Sequence, residues 1–489
     1  MKATDIKHMP LEKFVLVQQD ETIHDLKFDT KPIGYLKDAW LRFSRNRGSV
    51  IAACIIGLQL LFAILVPMFS KYAVDYKDGF YTYTLPKSEF LSKFGIMKGH
   101  SKYTYNQQSF DYYNAIPGAI VKVHNTYEGP GPRNTTTTYY DVTLDSYMKT
   151  GYVYKNLTQK EYEDVLAYEK ETGIQILYPL IDLSKVAPGF DTDPNYWFAH
   201  TSKGAAIYDE NGNYQSIYLE DKNSPDGYAY YTMKMGGNQY RTRVLYYEYY
   251  KYTNGFYPCF LFGSDGFGQD ILVRLASGAR LSFILGITVS AINIFLGTIY
   301  GAIEGYYGGT LDLMMERFAE IMGSIPSIVT FALFQMHFAR KLGPVISLLF
   351  AFILTGWIGP AYRVRSQFYR FKGQEYVLAA RTLGAKDRRL IFRHILPNAI
   401  GTIITSTILI IPGVIFTESI LSYLGIVNLQ TSKLTSVGTL LSNGQTALST
   451  YPHAIFFPAL YISLLMISFN LFGNGLRDAF NPSLRGSEG

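Results

Sequence analysis

Cysteine is nearly absent. Only Cys54 and Cys259 occur in 489 residues, one inside an apolar run and the other in a polar stretch, which excludes a disulfide framework. Charge is sparse as well, at 17% of the chain against 48% apolar residues. The basic surplus behind the net charge of +6 gathers in loops beside apolar runs, so it is not a nucleic-acid footprint and no nucleic-acid partner is expected. No G-x-x-x-x-G-K-[ST] phosphate loop occurs; if ATP drives this molecule, another chain binds it. His100, His124 and His200 lack metal-ligand spacing, and no nucleophile elbow or Cys/His arrangement accompanies them, so neither a catalytic nor a metal site is read here. Their default is a solvated or hydrogen-bonded imidazole.

What is present divides into two kinds of chain. Long apolar stretches lie toward both ends, and a polar block sits between them. About 30 of the 41 tyrosines fall between Lys71 and Phe260, a bias that marks this block as a separate unit. The first apolar run, Val50 to Phe69, is about 20 residues, enough to cross a bilayer. It starts too far from Met1, and runs too long, for a cleaved signal peptide. With Lys37, Arg42, Arg45 and Arg47 before it, it reads as an anchor with a cytoplasmic N-terminus. Further spans are expected at Leu281–Ile303, Ile321–Phe338, Val345–Ala361, Ala399–Thr417 and Ala454–Phe472, giving six, each roughly 17–23 residues.

In that topology the Tyr-rich block faces outside, and the basic run from Arg363 to Arg393 faces inside. The loop after the second span opposes the charge bias, with Glu304, Asp312, Glu316 and Glu320 against Arg317, but acidic residues count little in this rule. The block, about Lys71 to Gly263, is too long for a connecting loop and must fold by itself. Thr158-Gln-Lys-Glu161 reads as a capping box opening a helix to about Thr172, with Leu157 and Tyr162 placed as a staple. Downstream, Ala205–Tyr208, Tyr214–Leu219, Tyr228–Met235 and Gln239–Tyr252 alternate with Asn211-Gly212, Pro225-Asp226-Gly227 and Gly236-Gly237-Asn238, an antiparallel meander of about four strands.

The most telling stretch is Glu375 to Pro397, EYVLAARTLGAKDRRLIFRHILP. Helix formers run from Glu375 to Leu383, and Gly384 supplies a φ > 0 stop. Asp387 can cap a second helical turn, and Pro397 opens the next apolar run. Pinned by a span at each end, this segment is a rigid knob offered to the cytoplasm. A basic loop resting on anionic lipid is the plainer reading, but it needs neither the small Ala379-Ala380 pair nor a glycine at a set distance from Leu396-Pro397. A docking element for a partner groove explains both.

These residues resemble the cytoplasmic motif of the inner-membrane subunits of ABC importers: Glu-Ala-Ala, three residues, Gly, then nine residues to Ile-x-Leu-Pro. Ala379, Ala380, Gly384, Leu396 and Pro397 match, while Leu378 stands at the motif's Glu and His394 at its Ile. The segments Phe262-Gly-Ser-Asp-Gly-Phe-Gly-Gln-Asp270 (Gln269 replacing an expected Arg), Arg274, Gly278-Ala-Arg-Leu-Ser282, Gly305-Tyr-Tyr-Gly-Gly309, Glu418 with Leu421-Ser-Tyr-Leu-Gly425, and Asn470–Asp478 match the C-type permease of dipeptide and oligopeptide systems. The resemblance covers about Gly34–Phe69 and Phe262–Arg485 in family order; the Tyr-rich block lies outside it.

The resemblance implies a polytopic α-helical membrane protein of the type I ABC importer permease fold with six transmembrane helices; the Tyr-rich block, an insertion after the first span that is not the usual family pattern, adds an extracytoplasmic α+β domain. Its parts would be a cytoplasmic segment 1–48, a first helix 49–70, the insertion 71–263 and a permease core 264–485 with a coupling loop 362–397. It further implies a bacterial plasma-membrane location with both termini cytoplasmic, a homologous second permease, and two cytoplasmic ATP-binding subunits carrying ATP and Mg. An extracytoplasmic peptide-binding protein would complete the importer, with no cofactor on this chain. The coupling residues would be Glu375, Ala379, Ala380, Gly384, Asp387, His394, Leu396 and Pro397.

Glu418, an intramembrane carboxylate after a kink expected at Pro412-Gly413, is the candidate for the translocation pathway, with a peptide amino terminus or Arg280 as partner. A structural tie between two spans is the alternative. The Tyr-rich block reads either as a docking platform or lid at the pore mouth, or as ordinary strand composition. Uptake of nickel chelates or opine-like solutes is the close rival within the family. A membrane-anchored sensor is the rival from another class, and it calls for a signalling domain after the last span, which is not read before Gly489.

Overall fold

Two helices open the computed structural model, which describes residues 35–131, 136–233, 239–431 and 434–480. The segment 1–34, the Gly236-Gly237-Asn238 turn and the family-like tail 481–485 lie outside the described residues. Helix α1 (Tyr35–Arg45) ends at Asn46, whose side chain accepts from Ser49 N and starts α2 (Arg47–Phe69). No acidic or basic residue follows Arg47 in α2, so its 23 residues form one apolar rod of about 35 Å.

The Tyr-rich block follows. A three-stranded antiparallel sheet, order β1-β3-β2, joins β1 (His100–Asn106), β2 (Ile120–Pro130) and β3 (Thr136–Asp145), with α3 (Gln107–Asn114) between the first two. A second sheet is centred on β7 (Gln239–Leu245), which pairs with β4 (Tyr152–Thr158), β5 (Leu177–Tyr178) and β6 (Tyr231–Met233). Between β4 and β5, α4 (Gln159–Thr172) carries the expected capping box: Glu161 N donates to Thr158 Oγ1 at 3.3 Å and Thr158 N donates to Glu161 Oε2 at 2.7 Å.

The expected meander is corrected in two places. Ala205–Tyr208 and Tyr214–Leu219 form only isolated bridges, Tyr208 with Tyr214 among them, around the Gly212 turn. Tyr246–Asn254 is helix α5 rather than strand. Tyr246 and Tyr250 are its two buried positions, a spacing of four that suits a helix, and Gly255 closes it at φ +78°. Residue types that favour strands are helical here because tertiary packing decides: Tyr246 and Tyr250 enter the core, and Tyr247, Tyr249 and Tyr252 pack against it from the rest of the helix. The earlier sheet, β1 to β3, was not read from the sequence at all.

The remaining helices are α6 (Ile271–Tyr307), α7 (Gly309–Gly323), α8 (Ser327–Leu342), α9 (Pro344–Gly356), α10 (Ile358–Phe371), α11 (Glu375–Thr382), α12 (Asp387–Arg389), α13 (Leu396–Thr407), α14 (Ile410–Tyr423), α15 (Val437–Gln445) and α16 (His453–Phe480). Among the described residues, four stretches are long and apolar enough to cross a membrane, or up to six if two bent pairs each count as one. The run expected at Ile321–Phe338 is broken: α7 and α8 meet at 69°, with Pro326 leaving no N–H to continue the helix. The kink expected at Pro412-Gly413 lies earlier, before α14: the stretch Asp387–Thr405, which includes most of α13, meets Ile410–Tyr423 at 43°. A proline clashes with the carbonyl four residues before it, and for Pro412 that is Ile408, the first residue after α13.

Candidate functional site

The segment from α11 to α13 stands on the ends of α6 and α10. Val377, Leu390, Ile395 and Ala399 have no exposure at all, and they pack with Ala302, Tyr306, Val364 and Phe368. The chain turns at Gly384, where φ is +84° and a Cβ would meet no heavy atom within 4 Å; left-handed backbone, not crowding, requires glycine here. Leu390–Ile395 is a π-helical turn, and Leu396-Pro397 starts α13.

Of the residues singled out, Glu375, Ala379, Gly384 and Pro397 are exposed, and Ala380, His394 and Leu396 are half-buried. Asp387 does not cap: the cap position is Lys386, and the Asp387 carboxylate instead accepts from Tyr306 Oη at 2.6 Å. The outer surface carries Leu383, 87% exposed, and Leu378, 45% exposed. Beside them an open groove of about 680 Å³ is lined by Gly384, Lys386, Arg388, Arg389, Phe392 and Arg393. An apolar tip flanked by a basic groove is therefore mounted on a buried base.

Two features missed in the sequence fix that base. Gly297, Gly301 and Gly305 lie on one face of α6, where α10 comes so close that a Cβ at Gly297 would sit 2.6 Å from Pro360 Cβ, and one at Gly305 2.8 Å from Arg365 O. Glycines four apart in an apolar run are the signal that could have found it. Next to this seam, Arg365 of α10 binds Asp312 through Nε (2.6 Å) and Nη2 (2.9 Å), and Glu316 through Nη1 (2.9 Å) and Nη2 (3.0 Å). The fully buried Glu304 stands 3.3 Å from its Nε, and Tyr369 also donates to Asp312. Three of the acids that opposed the charge bias thus converge on one arginine, which is not a free surface charge.

Glu418 is fully buried in α14. Ser282 of α6 donates to its Oε2 at 3.2 Å and Ser422 to its Oε1 at 2.9 Å. The expected Arg280 partnership is not formed: Arg280 is exposed on α6, and among the described residues no basic side chain pairs with Glu418. Gly438 of α15 presses on the same helix, where a Cβ would lie 2.5 Å from Ser419 Cα.

The described residues thus form an apolar helical core with broken pairs, carrying an exposed knob on two closely packed helices, the build of a multi-pass membrane protein. Residues 293–486 match the family described as the binding-protein-dependent transport system inner membrane component, and residues 34–86 match the N-terminal TM domain of oligopeptide transport permease C. The oligopeptide transport system permease protein OppC of Bacillus subtilis (strain 168) is 44% identical over 224 residues, 46% of this chain and 72% of that protein. The dipeptide transport system permease protein DppC of the same organism is 40% identical over 225 residues, 46% of this chain and 69% of that one. OppC of Haemophilus influenzae is 40% identical, with 46% and 70% covered. This chain belongs to the ABC importer permeases, as a C-type subunit of the dipeptide/oligopeptide branch, and it is a multi-pass inner-membrane protein.

Proposed function

We propose that this chain is a permease subunit of an ATP-driven oligopeptide importer, forming the translocation pathway with a homologous second permease. In this reading six spans leave both termini and the Glu375–Pro397 knob in the cytoplasm, and the Tyr-rich block outside. Two cytoplasmic subunits bind ATP and Mg and dock on the knob, and an extracytoplasmic peptide-binding protein delivers substrate. Glu418 serves as a polar group of the pathway region, reached by solvent in a state other than the one described. The relatives' names support the substrate class, and the basic residues gathered between Arg363 and Arg393 support the cytoplasmic side for the knob.

The observation that carries the docking reading is the construction of the knob: a core of fully buried residues joins it to α6 and α10, while Leu383 stays 87% exposed. Closure of the docked ATPases then moves the knob as a lever, and the attached spans reorient. Gly384→Pro tests it, because proline fixes φ near about −65° where the chain needs +84°. Peptide uptake should be abolished and the ATPase subunits lost on mild-detergent co-purification, with membrane insertion and the second permease retained. Normal uptake by this variant would end the docking role.

A further inference from the structure

In the Tyr-rich block, near the turn into α6 (Asp78 N donates to Gly268 O at 3.3 Å), lies an open cavity of about 450 Å³. Its size falls among small-molecule sites. Segments far apart in sequence build it: Asp78 and Phe80 after α2, Lys155 on β4, and Tyr246, Tyr249 and Tyr250 on one face of α5.

The cavity holds both signs of charge in fixed positions. The Asp78 carboxylate is buried and accepts from Phe80 N (3.0 Å), Tyr76 Oη (3.2 Å) and Tyr246 Oη (2.7 Å). The Lys155 ammonium lies 4.9 Å from the Phe80 ring centroid, 5.0 Å from that of Tyr246 and 5.6 Å from that of Tyr249. Aromatic faces attract the cation but accept none of its hydrogen bonds in the ordinary sense, and this ammonium forms no hydrogen bond or ion pair among the described residues. Burial lowers its affinity for the proton, and the Asp78 charge partly restores it. This half-buried ammonium has three donors that no described protein group uses, and it is held over rings that wall an open cavity, where a ligand carboxylate could take the place of water.

We propose that this cavity binds a small zwitterion of the amino-acid or short-peptide kind, its carboxylate on the Lys155 ammonium and its own ammonium on the Asp78 side. The tyrosine rings pack on the apolar part between the two charges. This would be a ligand site outside the helical core, and it does not depend on the import reading.

The test is calorimetric titration of the purified full chain in nanodiscs with alanine, dialanine, trialanine and N-acetylalanine amide, which has neither charged end. At least one zwitterion should bind and the blocked compound should not; alanine against the peptides identifies which source the site takes. Lys155→Met should weaken binding by about tenfold to a hundredfold, the range for a lost charge-assisted hydrogen bond, while Lys203→Met on the exposed surface of the same block leaves it unchanged. Asp78→Asn should weaken it too, and unaltered near-ultraviolet dichroism of Lys155→Met shows that the block is folded even if the Asp78 variant is not. No binding by any zwitterion, equal binding of the blocked compound, or full affinity in Lys155→Met, as for a peptide held elsewhere in the chain, would each overturn the proposal.

Discussion

At Glu418 the chain keeps a carboxylate that has no exposure and only serine hydroxyls for partners. Two roles separate by substitution. Glu418→Gln preserves shape and keeps one acceptor oxygen, the amide NH2 donating to the other serine hydroxyl, but removes the charge, so assembly should persist while peptide transport falls if the charge serves the pathway. Glu418→Ala also strands the two hydroxyls, which adds a loss of about 1–3 kcal/mol in thermal stability. Transport by Glu418→Gln at the level of the parent would reduce the residue to a tie between α6 and α14.

Single residues were legible where the cause is local. Gly384 declared itself as a helix stop, and Thr158 with Glu161 as a capping box, because both depend on a few neighbouring backbone groups. Arg365 could not be read that way. Its partners Glu316 and Asp312 lie 49 and 53 positions away in the chain, and nothing in its own neighbourhood distinguishes it from the basic residues around it.

Among the elements, α7 leans heavily on the Arg365 clamp. Its only buried residues are Asp312 and Ala319, so the Arg365 clamp is its main attachment to α10. Arg365→Gln leaves Glu304, Asp312 and Glu316 without their cation. The loss should fall near the lower end of the roughly 3–5 kcal/mol for breaking a buried pair, because the Arg365 side chain keeps 20% exposure. Hydrogen exchange should rise across α7 while α6 and α10 stay protected along their glycine seam. Arg365→Lys should not restore protection, since an ammonium cannot bind two carboxylates in bidentate fashion; full recovery by lysine would show that charge alone holds the helix. The elements that the sequence misassigned have a common physical origin. Tyrosine favours strands in isolation, yet in α5 the packing of its rings against the core outweighs that preference. Apolar runs likewise reveal their length more readily than the break set by Pro326.

For the whole molecule, the contrast between the apolar runs and the Tyr-rich block was visible in composition, whereas which side each faces rests on charge bias alone. That arrangement is open to a direct test because the chain has only Cys54 and Cys259. With both replaced by serine, one cysteine can be introduced at Lys222, at an exposed turn of the Tyr-rich block, or at Leu383 on the knob. A membrane-impermeant maleimide should label Lys222→Cys in intact spheroplasts, and Leu383→Cys only after the membrane is opened. In the six-span reading the two sites are separated by α6, by the bent pair α7–α8 and by the continuous stretch α9–α10, an odd number of crossings. If the bent pair dips into the bilayer and returns, the number becomes even, and both cysteines label from the same side. Labelling of both in intact spheroplasts would therefore overturn the six-span topology, and it would do so through the 69° break, the place where the helix pattern departs most from a straight crossing.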